Sequence, residues 1–251
     1  MPRANRYYLP GNIWHITQRC HKKEFLLKFS KDRTRLRHWI FEAKKRYGLS
    51  VLNYTITSNH IHLLIMDQGE NVIPQSMQLI LGRTAQEFNY RKNRKGAFWE
   101  DRYHATAIDT GDYLARCMVY IDLNMVRAGV VTNPVQWQWC GYTEIQSPSE
   151  RYKIIDSHVL MTLFNSRKYK DFQELHKSWL DNKLQVGNIE REEYWSNSLA
   201  VGDECYIINV KKQLGIDSRY RSIVKDNNLF KLEEQALPYK GDLGPKKLCL
   251  R

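Results

Sequence analysis

Between Asn12 and Arg19 the chain alternates apolar and polar residues, NIWHITQR, and this predicts a strand. From Lys31 to Tyr47 the spacing becomes helical, with Ser30 as candidate N-cap and Gly48 as the stop. SVLNYTIT, Ser50 to Thr57, reads as a second strand. After the Ser58-Asn59 turn, His60 to Met66 reads as a third, forming a hairpin with it. Met77, Ile80, Leu81, Thr84 and Phe88 recur at helical spacing over Ile73 to Arg94, ended by Lys95-Gly96. AFWEDRYHATAI, Ala97 to Ile108, predicts a fourth, bulged strand. Asp109 or Thr110 can cap a helix from Asp112 to Ala128, closed by Gly129.

The predicted order is β-α-β-β-α-β-α, an α+β fold of the ferredoxin-like, split βαβ kind with one added helix. Helices cover one face of the antiparallel sheet, leaving the other to carry a site. Past Gly141 the texture changes, and SPSE (Ser147 to Glu150) marks a boundary. We therefore expect one domain over 1–145 and a mostly helical extension over 146–251. Its helices are expected at Ile154 to Asn165, Lys168 to Asn182 and Asp203 to Leu214, before an irregular tail around YKGDLGPKK.

Charge adds a partner to this picture. The chain of 251 residues carries a formal net charge of +12, with 42% hydrophobic and 26% charged residues, so a packed core is possible. Residues 1–50 hold 13 Lys/Arg against 3 Asp/Glu, whereas residues 51–150 hold 8 against 10. So local an excess marks a footprint for a polyanion, nucleic acid before an anionic membrane, although a basic helix can also be a solvated face. Cys20, Cys117, Cys140, Cys205 and Cys249 show no CxxC spacing, which argues against a zinc ribbon or a disulfide framework. We expect a reducing, cytoplasmic setting, with no signal peptide and no membrane span.

Two stretches carry candidate chemistry. In the strand TSNHIHLLIMD, His60 and His62 are two apart and share a face with Leu64 and Met66. Two imidazoles there can converge on one divalent ion, or both can be satisfied structural histidines. In DYLARCMVYIDLNMVRAG, Tyr113, Arg116, Asn124 and Arg127 fall within about 40° of Tyr120 on a helical wheel. A phenol, an amide and two guanidiniums on one stripe suit a nucleophile, an oxygen ligand and phosphate clamps. A core tyrosine with solvent-facing arginines fits the same stripe. Each stretch supplies what the other lacks.

At these residues the sequence resembles the REP-associated tyrosine transposases, relatives of the single-tyrosine HUH transposases. The matching stretches are PRANR (Pro2 to Arg6), WHITQR (Trp14 to Arg19), SNHIHLLI (Ser58 to Ile65), KGAFWEDRYHATAID (Lys95 to Asp109) and YIDLNMVRAGVV (Tyr120 to Val131). SLAVGDECYIINVKKQLG, Ser198 to Gly215, looks like the extension of longer members. The resemblance implies an HUH nuclease domain over 1–145. It implies that His60, His62 and Asn124 hold Mg²⁺ or Mn²⁺. Tyr120 matches the nucleophile that attacks a DNA phosphate, leaving a 5′-phosphotyrosine and a free 3′-hydroxyl. The implied substrate is single-stranded DNA folded into REP-like hairpins beside a short guide sequence, cut and rejoined in transposition.

Candidate DNA contacts are Arg3, Arg6, Arg19, Arg91, Lys92, Arg94, Arg102, Arg116 and Arg127. A hairpin-binding regulator without catalysis is the rival reading, and monomer and homodimer both stay open. Two departures touch the helix end and the loop after it. Met125 stands where the family usually has proline, and WCGY (Trp139 to Tyr142) where it often has WSSY. His15 and His104 are expected to be structural or DNA-facing. Trp99 is expected in the core and Tyr103 in the core or against bases, and Glu100 and Asp101 have no spacing argument as extra acids.

Overall fold

The computed structural model describes residues 9, 11–69, 71–187, 189–215, 220–226 and 229–234. Its first half runs β1 (Ile13–Arg19), α1 (Ser30–Tyr47), β2 (Ser50–Ile56), β3 (His60–Met66), α2 (Val72–Arg91), β4 (His104–Ile108), α3 (Asp112–Asp122) and α4 (Asn124–Arg127). The second half adds α5 (Gly141–Gln146), α6 (Ser157–Leu163), α7 (Tyr169–Val186), α8 (Tyr194–Asn197), β5 (Ala200–Gly202), α9 (Glu204–Leu214), β6 (Arg221–Asp226) and β7 (Leu229–Glu234).

The strand order β2-β3-β1-β4 is the split βαβ arrangement, and β1 pairs antiparallel with both β3 and β4. The sheet does not stop there. It continues through β5, which pairs in parallel with β4, to β7 and β6. The chain beyond 145 thus keeps its expected helices (α6, α7 and α9) and also adds three strands to the same sheet. AVG is too short to read as a strand alone; it pairs because β4 leaves an open edge, with Ala107 opposite Ala200. The opposite edge, β2, is closed by irregular chain, through Ile56 N to Trp139 O and Asp156 N to Val51 O.

Both faces of the sheet are covered, which corrects the expected open face. Tyr54 of β2 lines a cavity with Thr34, Arg37 and Phe41 of α1, so α1 lies on its side. On the other side Asn53 Nδ2 donates to Met118 O and Asp122 Oδ1, and Thr55 Oγ1 donates to Ile121 O, so α3 lies there. Apolar residues of α3, including Leu114, Met118 and Ile121, are fully buried, and their burial holds the helix on the sheet.

The predicted helix from Asp112 to Ala128 breaks at Leu123, whose φ/ψ of −78° and 3° leave the α region. Met125 then falls in the first turn of α4, a place where proline also fits because its missing N–H has no helical partner. Gly129 closes the segment at φ 67°, as expected. The predicted fourth strand is shorter, since Ala97 to Tyr103 is irregular apart from a bridge between Trp99 and Cys20. At the other departure, a Cβ on Gly141 would sit 2.1 Å from Asn53 Oδ1, so any side chain there forces its neighbours to shift. No helix among the described residues is long and apolar enough to cross a membrane. The PRANR stretch and the YKGDLGPKK tail lie outside the described residues.

Candidate active site

The cleft between β1, β3 and α3–α4 has a volume of about 630 Å³. His60, His62, Tyr120 and Asn124 line it, together with Arg19, Arg102, Arg127 and Arg191. β3 places both histidines on one side of the strand, as alternation requires, and α3 carries Tyr120 across from them. The Tyr120 ring centroid lies 6.0 Å from that of His62 and 6.1 Å from that of His15. Although Leu123 interrupts the helix, Asn124 still reaches the histidines, its side-chain amide 2.9 Å from His62 Nε2.

Each histidine is held by the nitrogen turned away from the cleft. His60 Nδ1 is 2.7 Å from Asn59 Oδ1 and 2.9 Å from Thr57 Oγ1. An amide oxygen only accepts, so the ring proton of His60 sits on Nδ1 and Nε2 keeps its lone pair. His62 Nδ1 is 2.8 Å from His15 Nε2, and His15 Nδ1 is 2.7 Å from the carbonyl oxygen of Trp195. Burial lowers the pKa of His60 and of His15 to about 4, and that of His62 well below the usual imidazole value. Neighbouring arginines, Arg19 first, lower His60 further. The three rings are therefore neutral near neutral pH, the form that can ligate a cation.

Two imidazole nitrogens and an amide that can rotate to present its oxygen make a mixed N/O donor set that a divalent cation can accept. Among the described residues no group of three His, Cys, Asp or Glu side chains is placed to hold a metal; beside the two histidines stands the side-chain amide of Asn124, which could serve as a third donor. The residues fit a divalent ion with coordination positions left for solvent or phosphate.

Arg127 closes one side of the tyrosine. Its Cζ is 4.2 Å from the centre of the Tyr120 ring, and its Nη2 donates to Tyr120 O at 3.1 Å. Tyr120 also borders a second cavity of about 450 Å³, walled by α3 and α7. Tyr120 thus lines both a basic, histidine-lined cleft and a more apolar hollow.

Residues 11–124 match the family model described as "Transposase IS200 like". This stretch is similar to IS200-like transposase domains. Among solved structures, a REP-associated tyrosine transposase bound to a REP hairpin is 21% identical. The match covers 59% of this chain and 87% of that one, with a TM-score of 0.50, and supports the α+β fold. A proposed transposase from Deinococcus radiodurans is 15% identical over 45% of this chain and 90% of that one, with a TM-score of 0.34. Curated protein sequences give no match.

The fold brings together only part of the expected DNA-contact set. Arg19, Arg102 and Arg127 line the cleft. Arg116 lines the second cavity, with Nη2 on the Tyr194 hydroxyl at 3.1 Å. Arg91, Lys92 and Arg94 are not among the lining residues of either. Arg91 pairs with the buried carboxylate of Asp32, Lys92 lies over the Phe29 ring, and Arg94 donates to Ala97 O and faces Glu24. Arg3 and Arg6 lie outside the described residues. Trp99 is half-buried, and its Nε1 donates to Leu81 O.

Several residues of the cleft had no sequence signal. Arg191, Ser196 and Asn197 come from the region after α7 and reach the cleft only through folding. Thr17 was findable, because it lies two residues from His15 on β1 and opposite His62 in register. His104, with Nε2 on Ser198 O at 2.9 Å, serves to hold the α8–β5 segment as well as to line the cleft.

Proposed function

We propose that this protein cuts and rejoins single-stranded DNA, with Tyr120 as nucleophile, at hairpins like that held by the solved REP-associated relative. The convergence of Tyr120, His60, His62 and Asn124 in one arginine-lined cleft carries this reading. In the reaction the Tyr120 oxygen forms a bond to the scissile phosphorus and the bond from phosphorus to the 3′-oxygen breaks. The phenol loses one proton and the departing 3′-oxygen gains one, so charge and atoms balance. The phosphodiester becomes a 5′-phosphotyrosine, and a second 3′-hydroxyl can reverse the exchange without ATP.

A divalent cation held by His60, His62 and Asn124 would polarise a non-bridging phosphate oxygen. Arg127 stiffens the tyrosine and places positive charge over its ring. Arg19, Arg102 and Arg191 supply phosphate contacts along the cleft. The second hollow beside Tyr120 leaves room for the chain to pass the nucleophile.

The test is a denaturing gel of the purified protein with labelled single-stranded hairpins from the DNA flanking its gene, with Mg²⁺ or Mn²⁺. A metal-dependent, SDS-resistant adduct lost in Tyr120→Phe is expected. Cleavage by Tyr120→Phe at the wild-type rate would overturn the nucleophile. Hairpin binding on native gels with no adduct under either metal would leave a non-catalytic DNA-binding protein.

A further inference from the structure

His62 is held by a chain of hydrogen bonds that can run in one direction only. The chain starts at the carbonyl of Trp195, passes through both nitrogens of His15 and both nitrogens of His62, and ends at the amide of Asn124. Each middle member is ambiguous by itself, because a neutral imidazole donates from one nitrogen and accepts at the other. Asn124 is ambiguous too, since its amide can turn either end to the ring.

Trp195 removes the ambiguity. A backbone carbonyl only accepts, so at 2.7 Å the His15 Nδ1 must carry the proton. His15 is fully enclosed, and its ring nitrogens face a carbonyl and an imidazole, not a carboxylate, so the ring carries one proton and Nε2 accepts. His62, also buried, must then donate from Nδ1 across the 2.8 Å contact, and its Nε2 is left with the lone pair. The opposite direction would set a bare Nδ1 of His15 against a carbonyl oxygen in a site closed to water, which is repulsive.

We infer that His15, anchored on the Trp195 carbonyl, is a positioning residue that fixes the proton of His62 on Nδ1 and turns its Nε2 lone pair toward Asn124 and the cleft. Where His60 uses a neighbour one residue away for this purpose, His62 uses a peptide group 180 residues from His15. Trp195 is well placed as an anchor: its ring is fully buried and its Nε1 donates to Glu192 Oε2 at 2.6 Å. The region after α7 therefore takes part in the site chemically, through one carbonyl oxygen. The tautomer follows from hydrogen bonding alone; its use in holding a divalent cation rests on the function proposed above.

Long-range ¹H–¹⁵N NMR of histidine-labelled protein, without metal or DNA, reads the tautomers directly. Wild type is expected to show His62 protonated at Nδ1, and an Nε2-protonated His62 would overturn the proposal by itself. In His15→Phe, which keeps bulk but offers no acceptor, His62 should move to the other tautomer or a mixture. Its Mn²⁺ affinity, read by electron paramagnetic resonance, should fall about 10–100-fold. His15→Gln can accept from His62 and donate to Trp195, so it should keep the Nδ1 tautomer and restore part of the affinity. It also serves as the variant to test if His15→Phe does not fold. An unchanged tautomer in folded His15→Phe, or Mn²⁺ affinity within about threefold of wild type, would refute the positioning role. The NMR result stands or falls independently of whether Tyr120 forms a DNA adduct.

Discussion

The guanidinium of Arg127 lies over the Tyr120 ring, its Cζ 4.2 Å from the ring centre, while its Nη2 donates to the tyrosine's own carbonyl. One side chain thus fixes both the ring and the backbone of the proposed nucleophile. Arg127→Ala is expected to reduce adduct formation by about 10–100-fold, because both restraint and positive charge are lost. Arg127→Lys should recover little, since an ammonium cannot stack and donate in the same geometry. Single-turnover adduct rates at saturating DNA measure this; a wild-type rate in Arg127→Ala would assign the stacking to packing alone.

The arginines of the cleft and those at the end of α2 should separate in a salt titration. Arg191→Ala, in the cleft, is expected to lower the salt slope of hairpin binding by about 1. Arg91→Ala should leave that slope unchanged. It should instead cost roughly 1–3 kcal/mol of stability, because the buried carboxylate of Asp32 loses its cation. Equal slopes for the two variants would mean that the cleft is not the DNA path.

Gly141 is a packing requirement. Asn53, the group a Cβ would strike, is held by Met118 O, Asp122 Oδ1 and the amide of Tyr54, so it cannot step aside. Gly141→Ala is expected to destabilise by about 1–3 kcal/mol in urea unfolding. Adding Asn53→Ala should cost less than the two single changes together, because the clash disappears with the side chain. Strict additivity would show that the backbone at 141 moves instead.

Acid should weaken the metal-free fold before carboxylates titrate. His15 and His60 have pKa values of about 4 in the folded chain, below the unfolded imidazole value of 6.5. A group lowered in this way contributes fully above the unfolded value, and its contribution is lost as pH falls toward the folded one. Each can cost on the order of 3 kcal/mol at the limit. Calorimetry in EDTA should show Tm falling between about pH 7 and pH 5. A flat Tm over that range would mean that the rings are not held neutral.

Local patterns were enough for much of this. Alternation marked β1, β2 and β3, the HxH pair, and the shared face of His60 and His62, because pleat geometry depends only on neighbours along the chain. Helical spacing marked Tyr120 and Asn124 as one stripe, and it survived the break at Leu123 because a single non-helical residue leaves them one turn apart. Charge counts marked a polyanion partner, but not which cations face it. Arg91 reads the same as Arg127 in a sequence, and only Asp32, 59 residues away, sets it apart.

What lay beyond local pattern was long-range pairing. The three added strands, the covering of both sheet faces, and the entry of Arg191 and the Trp195 carbonyl into the site all depend on contacts between distant segments. A backbone carbonyl has no residue identity, so no motif can announce that Trp195 O meets His15. The sequence by itself determined the chemical groups and their local spacing. Burial and chain closure decided which of them meet, which are neutral, and which nitrogen of His62 is free.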